Sequence, residues 1–87
     1  MKDFNHKVAV ITGGASGVGR SLAFALGKRG AKVVIGDVDR AAMDTISADL
    51  ATENIDSRVQ FCDVTNVDSL EAIAQKAVSE FGAIDLV

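Results

Sequence analysis

The sequence contains no proline, no tryptophan and no tyrosine, and aromatic residues make up only 5% of its 87 positions. With 48% hydrophobic residues its core must be assembled from Val, Ile, Leu and Ala, a mixture that favours an α/β protein. One cysteine and one histidine exclude an intrachain disulfide and leave no basis for a Cys- or His-rich metal site. Cys62 reads as a small buried hydrophobe, and His6, ahead of the first apolar run, as a solvated terminal residue. Basic charge is scarce as well. Nine Lys and Arg stand against twelve Asp and Glu, for a net charge of -3, so neither nucleic acid nor an anionic membrane is an expected partner. No apolar run approaches the roughly 20 residues a membrane helix needs, and the stretch from Met1 to His6 has no apolar core. A soluble, cytoplasmic protein is expected. At this length there is at most one small domain, which would bury roughly 60–65% of its unfolded surface.

What is present in quantity is glycine, and its placement carries the reading. Thr12-Gly13-Gly14-Ala15-Ser16-Gly17-Val18-Gly19 follows the apolar run Val8 to Ile11 and precedes a helical pattern. A strand ending in such a turn and opening a helix directs backbone N–H groups and the positive end of the helix dipole at one point, where an anion belongs. Glycine lets the chain adopt angles closed to other residues and lets a pyrophosphate approach the backbone.

The rest of the chain alternates strand and helix patterns. Val8 to Ile11 fits a strand covered on both faces. Val18, Leu22, Ala25 and Leu26 recur at helical spacing, and Lys28, Arg29 and Gly30 mark that helix's end. Lys32 to Asp37 reads as a second strand. Asp39 is placed to cap a second helix with Met43, Ile46 and Leu50 on one stripe. Arg58 to Cys62 reads as a third strand. Thr65 to Asp68 fits a variant capping box for a third helix, in which Leu70, Ile73, Ala74, Ala77, Val78 and Phe81 form a broad apolar face. Gly82 ends that helix, and Ile84 to Val87 resembles the beginning of a fourth strand. Right-handed crossovers then give a parallel sheet ordered 3-2-1-4, with the first two helices on one face and the third on the other. Its ligand crevice is expected between strands 1 and 4, at their carboxyl ends.

These residues together resemble the amino-terminal part of the short-chain dehydrogenase/reductase family over essentially the whole chain. The glycine turn is similar to that family's Thr-Gly-x-x-x-Gly-x-Gly, with Gly13, Gly17 and Gly19 in register. Asp37 resembles its acidic residue at the end of the second strand, and Asp63-Val64 its Asp-Val pair after the third. The resemblance implies a Rossmann-type doubly wound sheet, of which residues 1–87 form the first half, and a dinucleotide cofactor held by Gly13, Ser16, Gly17, Val18, Gly19, Asp37, Asp63 and Val64. It implies that the Asp63 carboxylate meets the adenine amino group and the Val64 amide a ring nitrogen, although a helix-capping role for Asp63 stands beside that reading.

Elementary chemistry points the same way. Asp37 lies at the separation from the turn expected of an acid that accepts hydrogen bonds from a ribose 2′-hydroxyl. A 2′-phosphate beside it would meet a like charge, at a cost on the order of a few kcal/mol, so NAD is expected in preference to NADP. Two residues pull the other way: Arg40, at the start of the second helix, could turn toward a phosphate, and the hydroxyl of Ser16 stands where NADP-preferring relatives often carry a base. A P-loop reading of Gly14 to Ser21 fails because Arg20 stands where Lys is needed. An S-adenosylmethionine site is disfavoured by Thr12, where an acid is usual. Arg20 itself reads as a solvated helix residue, and Asp85 as a structural hydrogen-bonding group.

The resemblance also implies hydride transfer between a nicotinamide and a carbonyl or alcohol by means of a Tyr with a Lys nearby, which this sequence does not contain. No catalytic residue is therefore assigned. The 87 residues are expected to be the cofactor-binding front half of an oxidoreductase, with the small-molecule substrate contacted by the other half. Apolar surface at the edge of the first strand and beside the third helix would then make the chain associate, with a homo-oligomer the expected state. The alternative is a non-catalytic dinucleotide-binding or assembly module.

Overall fold

The strand β1 (Val8–Thr12) opens the fold with four consecutive buried positions, because helices cover it on both sides. The structure, a computed structural model, describes residues 4–85. After β1 come α1 (Gly17–Lys28), β2 (Lys32–Asp37), α2 (Arg40–Thr52), β3 (Ser57–Phe61) and α3 (Val67–Phe81). The strands are parallel and ordered β1-β2-β3, with Val10 opposite Val34 and Ile35 opposite Val59. Side-chain alternation sends Ala9, Ile11, Val33 and Ile35 to one face, where they pack with Ala23 of α1 and Met43, Ile46 and Leu50 of α2. Val8, Val10 and Val34 face the other way and pack with Cys62 and with Ile73 and Ala77 of α3. This is the first half of a Rossmann-type doubly wound sheet, with the expected distribution of helices.

Helix α1 turns a different face inward from the one its larger apolar residues mark. Val18 is 86% and Leu22 46% exposed, while Ala23 is fully buried. The closest contact is made by the small-residue row Gly19, Ala23 and Gly27, while Leu26, as expected, and Phe24 pack half-buried against the same core. A Cβ on Gly19 would collide with the Gly13 carbonyl and come within 2.7 Å of Gly14 Cα; one on Gly27 would lie 2.5 Å from Ile55 Cγ2. The helix packs so closely on the turn and on Ile55 that a large residue on that row has no room, and this overrides the hydrophobic pattern. Its end is as expected: Gly30 adopts φ +98, and the amides of Gly30 and Ala31 donate to the carbonyls of Gly27 and Leu26.

Asp39 caps α2 by accepting the Ala42 N–H at 3.0 Å, and Met43, Ile46 and Leu50 are buried along it. For α3 the cap is Asn66, whose side-chain Oδ1 accepts the Ser69 N–H at 3.2 Å. Thr65, expected in that role, instead donates its hydroxyl and its amide to Asp63. The carboxylate two residues back captures it before the helix begins. Of the broad α3 face, Ile73 and Ala77 are buried, whereas Leu70 and Val78 remain exposed.

The third strand starts one residue earlier than expected, although the Cys62 N–H still donates to the Asp37 carbonyl at 3.0 Å. Ile84 and Asp85 form no strand, and Leu86 and Val87, the remainder of the expected fourth strand, lie outside the described residues. Asp85 is nonetheless tied to the outer edge of β1. Its amide donates to the Val8 carbonyl and its Oδ2 accepts the Val8 N–H, both at 2.9 Å. No helix among the described residues is long and apolar enough to cross a membrane.

Candidate functional site

The turn between β1 and α1 is held by the strand beside it. The amides of Gly13 and Gly14 both donate to the Gly36 carbonyl, at 2.7 and 3.3 Å, and the Ala15 amide donates to Asp37 Oδ2 at 3.2 Å. Three N–H groups of the glycine stretch are thus committed to β2. Those of Ser16, Gly17, Val18 and Gly19 make no hydrogen bond within the described chain, and the first helical bond back across the turn is Arg20 N–H to Ser16 O. The unpaired donors of the α1 N-terminus therefore begin at Ser16, next to the positive end of the helix dipole.

Two glycines hold angles that favour glycine. Gly13 has φ +66 and Gly17 φ +58, and at both an added Cβ would point into open space. Their role is conformational, and they leave the backbone bare on the side a ligand would approach. Gly19 has the opposite role, since it is needed for the close contact with Gly13 and Gly14. Ser16 is the N-cap residue of α1, but its hydroxyl caps nothing in the chain. The Thr12 hydroxyl likewise makes no hydrogen bond among the described residues; the turn is braced by the Gly36 carbonyl and by Asp37.

Asp37 is half-buried at the end of β2, with Oδ1 accepting the Asp39 N–H at 3.1 Å and Oδ2 the Ala15 N–H. A carboxylate held by two amides is oriented, and each oxygen keeps lone-pair capacity for another donor. Asp63, after β3, accepts the hydroxyl of Thr65 at 2.7 Å and its amide at 3.0 Å on Oδ1 alone. These bonds, the hydroxyl's first, hold its pKa below the ordinary 3.8. It caps no helix, and Oδ2 has no partner among the described residues.

Gly13, Asp37, Val38, Cys62, Asp63 and Val64 line one groove of ≈ 280 Å³. An adjoining groove of ≈ 400 Å³ includes Gly13, Val18, Gly19 and Leu22. Gly13 is shared. The fold thus brings Asp37, Asp63 and Val64 together, sets Val18 and Gly19 beside them across Gly13, and leaves Ser16 and Gly17 exposed at the start of α1. Cys62 is buried in the floor, where burial, and then the neighbouring Asp63 charge, push its thiol above its ordinary value and keep it protonated.

Sequence reasoning missed Val38, which is 58% exposed and lines the first groove together with the 57% exposed Val64. An isolated apolar residue between two acids in a short loop is the signal that marks it. Gly36, whose carbonyl holds the turn, left no trace in the sequence beyond its lack of a side chain. Arg20 is not merely solvated: it pairs with Asp49 of α2 at 2.5 Å and lies over the Phe24 ring.

Comparison with known proteins gives consistent matches. The short chain dehydrogenase family model matches residues 7–87. The chain is 43% identical to cis-4-hydroxycyclohexanecarboxylate dehydrogenase of Sinomonas cyclohexanicum, over 97% of this chain and 33% of the relative. Among solved structures it is similar to a short chain dehydrogenase/reductase from Burkholderia phymatum in complex with NAD, with a TM-score of 0.92 at 36% identity over 97% of this chain and 30% of that one. It is also similar to a hydroxysteroid dehydrogenase from Escherichia coli, with a TM-score of 0.93 at 28% identity, covering 97% of this chain and 36% of that one. The chain spans about a third of the length of the curated relatives it matches.

Proposed function

This chain belongs to the short chain dehydrogenase family, and we propose that it holds the nicotinamide dinucleotide of an oxidoreductase acting on a carbonyl or alcohol, with NAD preferred over NADP. The observation that carries the reading is the Asp37 carboxylate, oriented by the Ala15 and Asp39 amides and facing the same groove as Gly13, Asp63 and Val64. In this assignment the free amides of Ser16, Gly17, Val18 and Gly19 receive the pyrophosphate. Asp37 accepts the ribose hydroxyls, and Asp63 Oδ2 with the Val64 amide reads the edge of the adenine. Val38 and Val64 provide its apolar flanks. The open space over Gly13 and Gly17 suits a group that lies directly on the backbone.

When bound, the dinucleotide supplies or accepts a hydride. The chain's own residues bind and orient it. Because the sequence has no tyrosine, the acid or base of the reaction is proposed to come from outside these 87 residues. Exposed Leu70, Val78 and Ile84 support a chain that covers this surface by assembly, a homo-oligomer included. A titration of NADH and NADPH by calorimetry tests the reading. NADH should bind more tightly; tighter NADPH overturns the preference, and binding of neither overturns the assignment.

The second reading, a dinucleotide-binding module without catalysis, draws on the same absence of tyrosine. Coding sequence that continues from Val87 into a Tyr-x-x-x-Lys segment decides for the enzyme.

A further inference from the structure

Arg40 is the first residue of α2, where its positive charge opposes the helix dipole. Arg20 pairs with Asp49, and Arg58 with Asp56 and Glu80, whereas Arg40, like Arg29, pairs with no carboxylate among the described residues. What holds it is an aromatic face, with the guanidinium carbon 4.8 Å from the centroid of the Phe61 ring. Phe61 is the parallel-register partner of Asp37, so the two side chains leave neighbouring strands on the same side of the sheet. Asp37 in turn accepts the amide of Asp39, the residue immediately before Arg40. A guanidinium with its hydrogen-bond donors unspent is therefore kept close to the acid that faces the cofactor groove, yet laid on a ring. A cation placed at the positive end of a helix departs from the ordinary placement of charge, and such departures concentrate where function asks for them.

We propose that Phe61 is a positioning residue for cofactor selection. It parks Arg40 on its ring, withholds this cation from a ribose 2′-phosphate, and so leaves the charge of Asp37 to decide against NADP. The inference rests on the dinucleotide reading above and adds to it the residue that prevents a nearby arginine from cancelling the acid. The contact is exposed and modest, so the selection it adds is a bias.

The test compares NADH and NADPH affinities for the chain and its variants by calorimetry. Phe61→Leu keeps an apolar strand residue but removes the π face; releasing Arg40 should raise the NADPH-to-NADH affinity ratio about two- to five-fold, the size of an exposed cation–π contact. Phe61→Tyr keeps the face and should retain the parental ratio. In Phe61→Leu combined with Arg40→Gln the gain should disappear. A general loosening of the fold weakens both dinucleotides and does not produce this pattern. An unchanged ratio in Phe61→Leu with NADH binding intact overturns the proposal, as does a gain that survives the loss of Arg40. Arg40→Gln alone gives an independent reading, since a parked arginine predicts no change in ratio, and a marked loss of NADPH binding means that Arg40 already reaches the phosphate. A parent chain that binds neither dinucleotide overturns the proposed function, and this inference with it.

Discussion

The carboxylate of Asp37 accepts the amide of Ala15 at 3.2 Å across 22 residues of sequence, so the acid that faces the groove also fastens the glycine turn. The proposed binding role and the architecture share one side chain. The Gly36 carbonyl, one residue earlier, holds Gly13 and Gly14 in the same way, and the end of β2 thereby determines the shape of the loop that follows β1.

Substituting Asp37 should consequently do two things. Asp37→Ala leaves the part-buried Ala15 amide without its acceptor and should cost about 1–3 kcal/mol of stability, a fall in Tm of roughly 4–8 °C per kcal/mol for a domain of this size. The same variant should lose its discrimination between NADH and NADPH. Calorimetric melting and parallel titrations measure both. Lost discrimination with unchanged Tm would mean that the contact to the turn is energetically idle.

Gly19 and Gly13 should respond differently to alanine. At Gly19 the new methyl meets the Gly13 carbonyl and Gly14 Cα, backbone atoms that can yield only if the turn moves, so a cost of about 2–3 kcal/mol and loss of dinucleotide affinity are expected. At Gly13 the space is open and only the positive φ opposes the change, for roughly 1 kcal/mol. Urea unfolding midpoints rank the pair, and a more damaging Gly13→Ala would contradict the packing described for α1.

Removal of the Asp85 carboxylate should loosen the outer edge of β1. Asp85→Ala leaves the Val8 N–H without its acceptor, at a cost of about 1–3 kcal/mol, and should speed hydrogen exchange at the Val8 amide. Asp85→Asn, which keeps an acceptor oxygen, should be milder. Equal exchange rates in all three chains would show that Asp85 does not hold this edge.

Acid should destabilise the fold through two exposed carboxylates. Asp63 sits below its ordinary 3.8 because of the hydroxyl and then the amide of Thr65. Glu80 sits below its ordinary 4.5 because of its bond to Arg58, aided by Lys76. For groups whose folded pKa is depressed, the stabilisation is complete above the unfolded values and is lost as pH falls through the lowered ones. Unfolding midpoints should therefore hold steady above the ordinary carboxylate range and decline beneath it. Thr65→Val should make the decline shallower by removing the largest cause at Asp63, and added salt should shrink the effect of the exposed Arg58–Glu80 pair. A decline as steep in Thr65→Val as in the parent would dissociate Asp63 from acid sensitivity.

Much of this protein is local and was therefore open to the sequence alone. The β-branched runs at Val8 and Lys32, the cap at Asp39, the stop at Gly30 and the stripe Met43, Ile46 and Leu50 each depend on residues within a turn or two of one another. Asp37 and Asp63-Val64 could be placed because a strand's end follows from its beginning. The tertiary structure decided what depends on contacts between distant segments. Only the approach of β2 consumes the Gly13, Gly14 and Ala15 amides, and so leaves the free donors to begin at Ser16. Only the fit of α1 against Gly13, Gly14 and Ile55 selects the row Gly19, Ala23 and Gly27 over Val18 and Leu22, since close packing rewards the absence of side chains that a hydrophobic pattern does not register. Arg40 on Phe61 is of the same kind: an arginine's charge is evident in sequence, but the ring it rests on lies on another strand.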